Sequence, residues 1–193
     1  MKPARRSKSN PPITGDELER MPHRGRCELV RGTIVHADPT SRGHARVEVR
    51  FAREIGEFVE RRGLGDVLAG EAGIYTRRGP DTVRGADVAF LSAERAARCR
   101  PDGFLDVAPD LVVEVRSPGD RPEEVEEKIE EYLSAGVRLV WEADPAAKTV
   151  RVHRPGGSPG PVEASALLTE NDTLSGEDVL PGFAVPVRRF FAP

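Results

Sequence analysis

The run Leu111-Val112-Val113-Glu114-Val115 sets one carboxylate among four aliphatic side chains. Side chains alternate along an extended strand, so Leu111, Val113 and Val115 share one face and Val112, Glu114 and Arg116 the other. A carboxylate removed from water is costly unless it is paired or bound to a metal. Two arrangements meet that need: an ion pair with an arginine on a neighbouring strand, or a place in a metal site. A second carboxylate lies in Arg84-Gly85-Ala86-Asp87-Val88-Ala89-Phe90-Leu91. There Val88 and Phe90 face one way and Asp87 the other. If the two strands are neighbours, Asp87 and Glu114 converge at one end of a sheet; otherwise Asp87 is an ordinary turn or edge residue. Two carboxylates, waters and a phosphate oxygen make a hard, all-oxygen site suited to Mg²⁺. Such an ion acidifies a bound water and neutralises charge developing on a phosphodiester.

A third group is Lys128, in Pro122-Glu-Glu-Val-Glu-Glu-Lys-Ile-Glu-Glu-Tyr-Leu. On a helix, Val125, Ile129, Tyr132 and Leu133 form the apolar stripe, and Lys128 stands at its edge. It is the one cation among six glutamates. It either makes surface salt bridges to Glu124 and Glu131, or leans over the sheet toward a phosphate or an attacking water.

The elements that would carry these groups are legible. Thr14-Gly15-Asp16-Glu17 has the form of a capping box, predicting a short helix through Leu18 to about Met21. Two apolar runs flank Arg31-Gly32, predicting a hairpin over Cys27–Val35. From Ser41 to Arg62, Val47, Phe51, Ile55 and Phe58 recur at helical spacing, and Gly63 is a stop. Strands are predicted at Asp66–Ala69, Gly73–Thr76, Gly85–Leu91 and Leu111–Val115, with an irregular segment from Ala93 to Phe104. Pro122–Ala135 is a second long helix ended by Gly136. Val137–Glu142 and Thr149–His153 read as a hairpin, Pro155–Pro161 as a loop, and Phe183–Val187 as a closing strand. Strands interleaved with two good helices give an α/β (α+β) domain, a mixed central sheet flanked by helices.

The bulk numbers bound the class. A chain of 193 residues with 38% apolar and 32% charged residues is expected to form one soluble globular domain, over residues 13–193. Residues 1–12, with Lys2, Arg5, Arg6 and Lys8, read as a basic, disordered tail, the alternative being a phosphate contact. No apolar run approaches membrane-spanning length and no apolar stretch follows the basic start, so no membrane association is expected. Cys27 and Cys99 form no CxxC pair, which argues against a zinc ribbon or disulfide scaffold and for a reducing, cytoplasmic setting. A net charge of −3 counts against strong indiscriminate DNA binding, but not against a local basic groove.

Taken together, Pro109-Asp110-Leu111-Val112-Val113-Glu114-Val115-Arg116-Ser117-Pro118, then Lys128, Tyr132, Gly136-Val137, Trp141 and Asp144-Pro145, resemble the Uma-two family of restriction-type endonucleases, within the PD-(D/E)xK nuclease superfamily. Upstream, Glu28–Val35 is similar to the family's N-terminal strand pair, and His44 falls where a His often opens its first long helix. Downstream, Leu174–Phe183 is similar to its closing motif. The resemblance spans about Ile13 to Phe191. It implies a restriction-endonuclease-like fold and Mg²⁺-dependent DNA hydrolysis, with Mn²⁺ as a substitute ion. It implies Asp87 and Glu114 as metal ligands and Lys128, on the following helix, in place of the strand motif's lysine. Glu28, His44 and Tyr132 are supporting candidates. Two positions depart from the family pattern. Ala86 replaces a proline before the first Asp, which alters only backbone stiffness. Arg116 stands two residues after Glu114; it stays protonated and cannot be a base, but can bind a phosphate bidentately. DNA is the implied partner, and a two-fold homodimer is expected by analogy with cutting both strands. The competing expectations are a nuclease-fold DNA-binding module without turnover, and a partner-binding structural protein.

Overall fold

The structure, a computed structural model, describes residues 11–22, 25–156 and 166–192. The basic segment at residues 1–10 and most of the predicted Pro155–Pro161 loop lie outside them.

Helix α1 (Gly15–Arg20) is capped as expected, Thr14 and Glu17 bonding reciprocally. Strands β1 (Cys27–Val30) and β2 (Thr33–His36) form the expected hairpin. Its turn residues Arg31 and Gly32 both have positive φ, 49° and 75°, as a tight hairpin whose twist matches its strands requires. Helix α2 (Arg42–Arg62) starts at an Ser41 cap and ends at left-handed Gly63. Its buried stripe is Val47, Phe51, Ile55 and Val59; Phe58 is only half-buried, beside that stripe.

The two strands expected at Asp66–Ala69 and Gly73–Thr76 are one, β3 (Gly65–Arg77), antiparallel to β4 (Thr82–Ser92). What separates the two apolar stretches is a bulge. Ala69 pairs with Val88 and Ala72 with Ala86, so Gly70 and Glu71 together oppose Asp87. Ser92 leads into a short helix, α3 (Ala93–Ala96), inside the segment expected to be irregular.

Strand β5 (Leu111–Val115) pairs antiparallel with β4 and parallel with β6 (Leu139–Asp144), helix α4 (Pro122–Ala135) making the crossover. Strand β7 (Thr149–His153) returns antiparallel to β6, and β8 (Leu167–Leu168) adds a short edge. The sheet order is β2-β1-β4-β5-β6-β7-β8, with β3 also on β4. Near the C-terminus, β9 (Thr173–Ser175) pairs with β10 (Ala184–Pro186), followed by α5 (Arg188–Phe191).

Two apolar layers sandwich this mixed sheet. On one side α2 packs with Val88, Phe90, Leu111, Val113, Val115 and Trp141, and with Leu180, Phe183 and Phe190 of the C-terminal segment. Phe51 stacks on Phe190 with centroids 4.0 Å apart. On the other side Ile129, Tyr132 and Leu133 of α4 pack on Ala89, Val112 and Val140. Each large side chain so buried contributes about 1.5–3 kcal/mol. The alternation expected for β5 is therefore observed. No helix among the described residues is long and apolar enough to cross a membrane.

Candidate active site

The site lies where the sheet splits. Strand β4 gives one edge to β3 along its length and shares the other between β1, at Val83, and β5, from Val88 to Phe90. Residues 84–87 on that shared edge have no residue partner in the register of either strand. Side chains fill the gap. Glu28 Oε1 accepts the Gly85 N–H at 2.9 Å, and Lys128 Nζ donates to the Gly85 carbonyl at 2.8 Å. The β4–β5 register ends at Val88↔Val113; extended by one step it sets Asp87 opposite Glu114. Asp87 Oδ2 there accepts the Val115 N–H at 2.7 Å, in place of a backbone partner.

Helices on opposite faces serve the two carboxylates. From α4, Lys128 Nζ donates to Glu114 Oε2 at 2.8 Å and the Tyr132 hydroxyl to Glu114 Oε1 at 2.9 Å. Lys128 also lies 3.1 Å from Glu28 Oε1, so its three donors meet three acceptors. It does not take up the surface role open to it in sequence: Glu131 pairs with Arg84 instead, at 2.6 Å, and Arg84 also holds Glu28 at 2.9 Å. From α2, His44 Nε2 lies 3.0 Å from Asp87 Oδ1 and His44 Nδ1 3.1 Å from the Ser117 hydroxyl. Glu28, Glu114, Lys128 and Tyr132 thus form one hydrogen-bonded group and His44 and Asp87 another, the two adjoining at the Val115 end of β5. Arg116 stands apart from both, on the wall of the same groove, paired at 3.7 Å with Glu142 and 3.8 Å with Asp144.

Sequence reasoning missed Glu48 and Glu71. Glu48 Oε2 is 3.8 Å from His44 Nε2, and its other oxygen accepts the Gly70 N–H at 3.1 Å. It lies one turn after His44, so helical spacing was the available signal. Glu71 is turned inward by the β3 bulge, where Gly70 and Glu71 have φ of 85° and 65°, and pairs with Arg26. Its signal was the interruption between two strand-like stretches.

Burial sets the protonation of this network. It pushes Glu114 up to about 8, with the Asp87 and Glu28 charges adding to it and Lys128 pulling back. Burial and then the Asp87 charge also raise Glu48 and Glu71. Burial works against Asp87 too, but the His44 bond and charge, Lys128 and the Val115 amide outweigh it and hold Asp87 below the usual range. Burial disfavours charged Lys128, yet Glu114 and Glu28 overcome it and keep the ammonium protonated. The ammonium is therefore the fixed charge of the pair, and Glu114 the group that titrates.

Three carboxyls raised first by burial thus stand around Asp87, which is held ionised. Each oxygen of Asp87 and Glu114 takes one hydrogen bond from the neighbours described, and an ionised carboxylate oxygen has two lone-pair sites. The donor set therefore fits a hard divalent cation. The network opens on a groove of about 590 Å³, bounded by the β1–β2 hairpin, the start of α2, the loop after β5 and α4.

A family model, Uma2, described as "Putative restriction endonuclease", matches residues 16–188. Among solved structures, this chain is similar to a "putative nuclease belonging to DUF820" from Anabaena variabilis. The match covers 93% of this chain and 98% of that one, at a TM-score of 0.75 and 19% identity, a likeness of fold. No curated protein matches.

Proposed function

The chain belongs to the Uma2 family, and from that premise we propose that it is a Mg²⁺-dependent endonuclease hydrolysing DNA phosphodiester bonds in the groove above Asp87 and Glu114. The observation that supports this reading is that Asp87 is bonded to the Val115 amide, next in the chain to Glu114, while Lys128 is bonded to Glu114 itself. A nuclease of this kind needs a carboxylate pair and a fixed cation within one hydrogen-bonded site.

Bound by Asp87 and Glu114, the ion would supply charge neutralisation at the scissile phosphate and a more acidic water. Mn²⁺ would serve in its place. The chain's own residues prepare the site. Asp87 is held ionised and oriented by His44 and the Val115 amide. Tyr132 and Lys128 fix both oxygens of Glu114, and the ion's charge favours its ionised form. Lys128 keeps its proton and so does not accept one from the attacking water; with Arg116 it would stabilise the negative charge that develops. Arg116 lines the groove and would meet a phosphate there by exchanging its pairs with Glu142 and Asp144. Glu28 positions Lys128 and Arg84 and touches no reacting group. The protein would act in the cytoplasm, as a two-fold dimer where both strands are cut.

Supercoiled plasmid with Mg²⁺ tests this. The wild-type chain should nick and linearise it, and Asp87→Ala should not. Cleavage persisting in a clean Asp87→Ala preparation would show that the site is elsewhere. DNA binding without metal binding by the wild type would instead favour a module that does not turn over.

A further inference from the structure

We infer that DNA docks outside the groove, along the outer face of α2, through phosphate contacts with Arg42, Arg46 and Arg53, and stays clear of α4. This rests on the nuclease reading above and gives the substrate a path that the groove itself does not supply.

The groove has little positive charge to spare. Its arginines and its lysine are all paired with carboxylates: Arg26 with Glu71, Arg84 with Glu28 and Glu131, Lys128 with Glu114 and Glu28, and Arg116 with Glu142 and Asp144. Asp38, Asp120, Glu124 and Glu127 line it as well. Arg116 can exchange its pairs for one phosphate, but a duplex presents a negative charge about every 1.7 Å of its axis. Cations elsewhere must hold the rest.

Helix α2 carries them. At roughly 3.6 residues per turn, Arg42, Arg46 and Arg53 fall within about 40° of one another, and roughly opposite the Phe51 and Ile55 stripe that packs on the sheet. Arg42 and Arg53 are exposed and Arg46 is half-buried. Arg42 and Arg46 have no hydrogen-bonding or ion-pair partner for their side chains among the described residues. Arg53 pairs at 2.9 Å with Glu54, which also takes Arg189 at 2.9 Å, so two cations share one carboxylate. The exposed residues between the arginines, Ala45 and Val49, are uncharged. The face turns acidic only at Glu57 and Glu60. At about 1.5 Å per residue the stripe from Arg42 to Arg53 is roughly 16 Å long, which spans about four phosphates of one strand. Exposed Arg188 and Arg189 of α5 widen it, Arg50 bonding the Arg189 carbonyl at 3.0 Å.

The stripe starts beside the carboxylates. Thr40 lines the groove, Ser41 caps α2, and His44 in the first turn lies 3.0 Å from Asp87. DNA with a phosphate at Asp87 meets Arg42 first and then Arg46 and Arg53. Helix α4, on the opposite face of the sheet, exposes Glu123, Glu126, Glu127 and Glu130. The two helices thus present opposite charge, and their combined field steers a polyanion to the α2 side.

The test is fluorescence anisotropy of a labelled duplex oligonucleotide titrated with the full chain in chelator, over a range of salt. Arg42→Ala/Arg46→Ala should bind at least about 10-fold more weakly than wild type at low salt, and lower the slope of log K against log salt by about two. Arg42→Lys/Arg46→Lys should keep the slope, since an ammonium also meets a phosphate. Glu126→Gln/Glu130→Gln should bind at least as tightly as wild type. Thermal melting checks that each variant folds; if the alanine pair does not, Arg53→Ala decides, with a slope lower by about one. A wild-type slope in the folded alanine pair, or weaker binding in the α4 variant, overturns the inference. Plasmid cleavage by the wild type would then leave the nuclease reading standing. If the alanine pair keeps its DNA slope but loses a salt-sensitive self-association in sedimentation, the stripe joins copies of the chain and the inference falls. A wild-type chain that neither binds nor cuts DNA sinks both readings.

Discussion

Lys128 Nζ lies 2.8 Å from Glu114 Oε2, its other two donors taken by the Gly85 carbonyl and Glu28, so that one ammonium ties α4 to β5, β4 and β1. Lys128→Met should therefore lower Mg²⁺-dependent cleavage by about 10²–10³-fold, the usual effect of removing a preorganised group that stabilises developing charge. Lys128→Arg should not restore it, because a planar guanidinium cannot meet three acceptors arranged around a point charge. Single-turnover nicking assays with both variants check this; wild-type rates in Lys128→Met would remove the lysine from the mechanism.

The titration of Glu114 makes a signed prediction for the metal-free protein. Its folded value of about 8 lies above the ordinary 4.5, so the folded state binds the extra proton between those two pH values. The stability this gives is fully present below pH 4.5 and is lost as pH rises through about 8. Wild type should therefore lose stability relative to Glu114→Gln as pH climbs across that window, in urea melts with chelator present. Saturating Mg²⁺ should flatten or reverse the trend, since the ion favours the ionised carboxyl. A difference independent of pH would mean that Glu114 is already ionised in the empty site.

Tyr132 is fully buried and donates its hydroxyl to Glu114. Tyr132→Phe keeps the ring in the core and removes only that bond. The expected cost is about 1–3 kcal/mol of stability in chelator. Mg²⁺ affinity should fall by roughly 10–100-fold, because the hydroxyl orients a metal ligand. Thermal denaturation and calorimetric titration measure the two effects; unchanged Mg²⁺ affinity would reduce Tyr132 to a packing role.

Arg116 is expected to act on DNA rather than on the ion. Arg116→Ala should weaken DNA binding at low salt and reduce the slope of log K against log salt by about one. It should leave Mg²⁺ affinity as it was. A loss of metal binding with an unchanged salt slope would point to its pairs with Glu142 and Asp144 as structural.

Much of this arrangement was legible before the fold was seen, and for identifiable reasons. Glu114 showed itself because a single carboxylate in an aliphatic strand breaks a strict alternation, and β5 has the bounds that alternation indicates. Helix α4 showed itself through its Pro122 start, its stripe and its Gly136 stop. Asp87 was weaker, because its partner across the sheet is fixed by the β4–β5 register, a long-range fact. Lys128 read equally well as a surface residue; only the gap between β1 and β5 gives it something to reach. Glu71 was hidden because a bulge reverses which side chains face inward, and short elements such as β8 and α5 carry too few residues for a periodicity to appear.

The most direct test of the shared carboxylate site is anomalous diffraction from crystals of the wild-type chain grown with Mn²⁺. A peak should stand about 2.2 Å from one oxygen of Asp87 and one of Glu114, in keeping with oxygen-liganded divalent ions. Well-ordered Asp87 and Glu114 side chains with no peak touching both would contradict it.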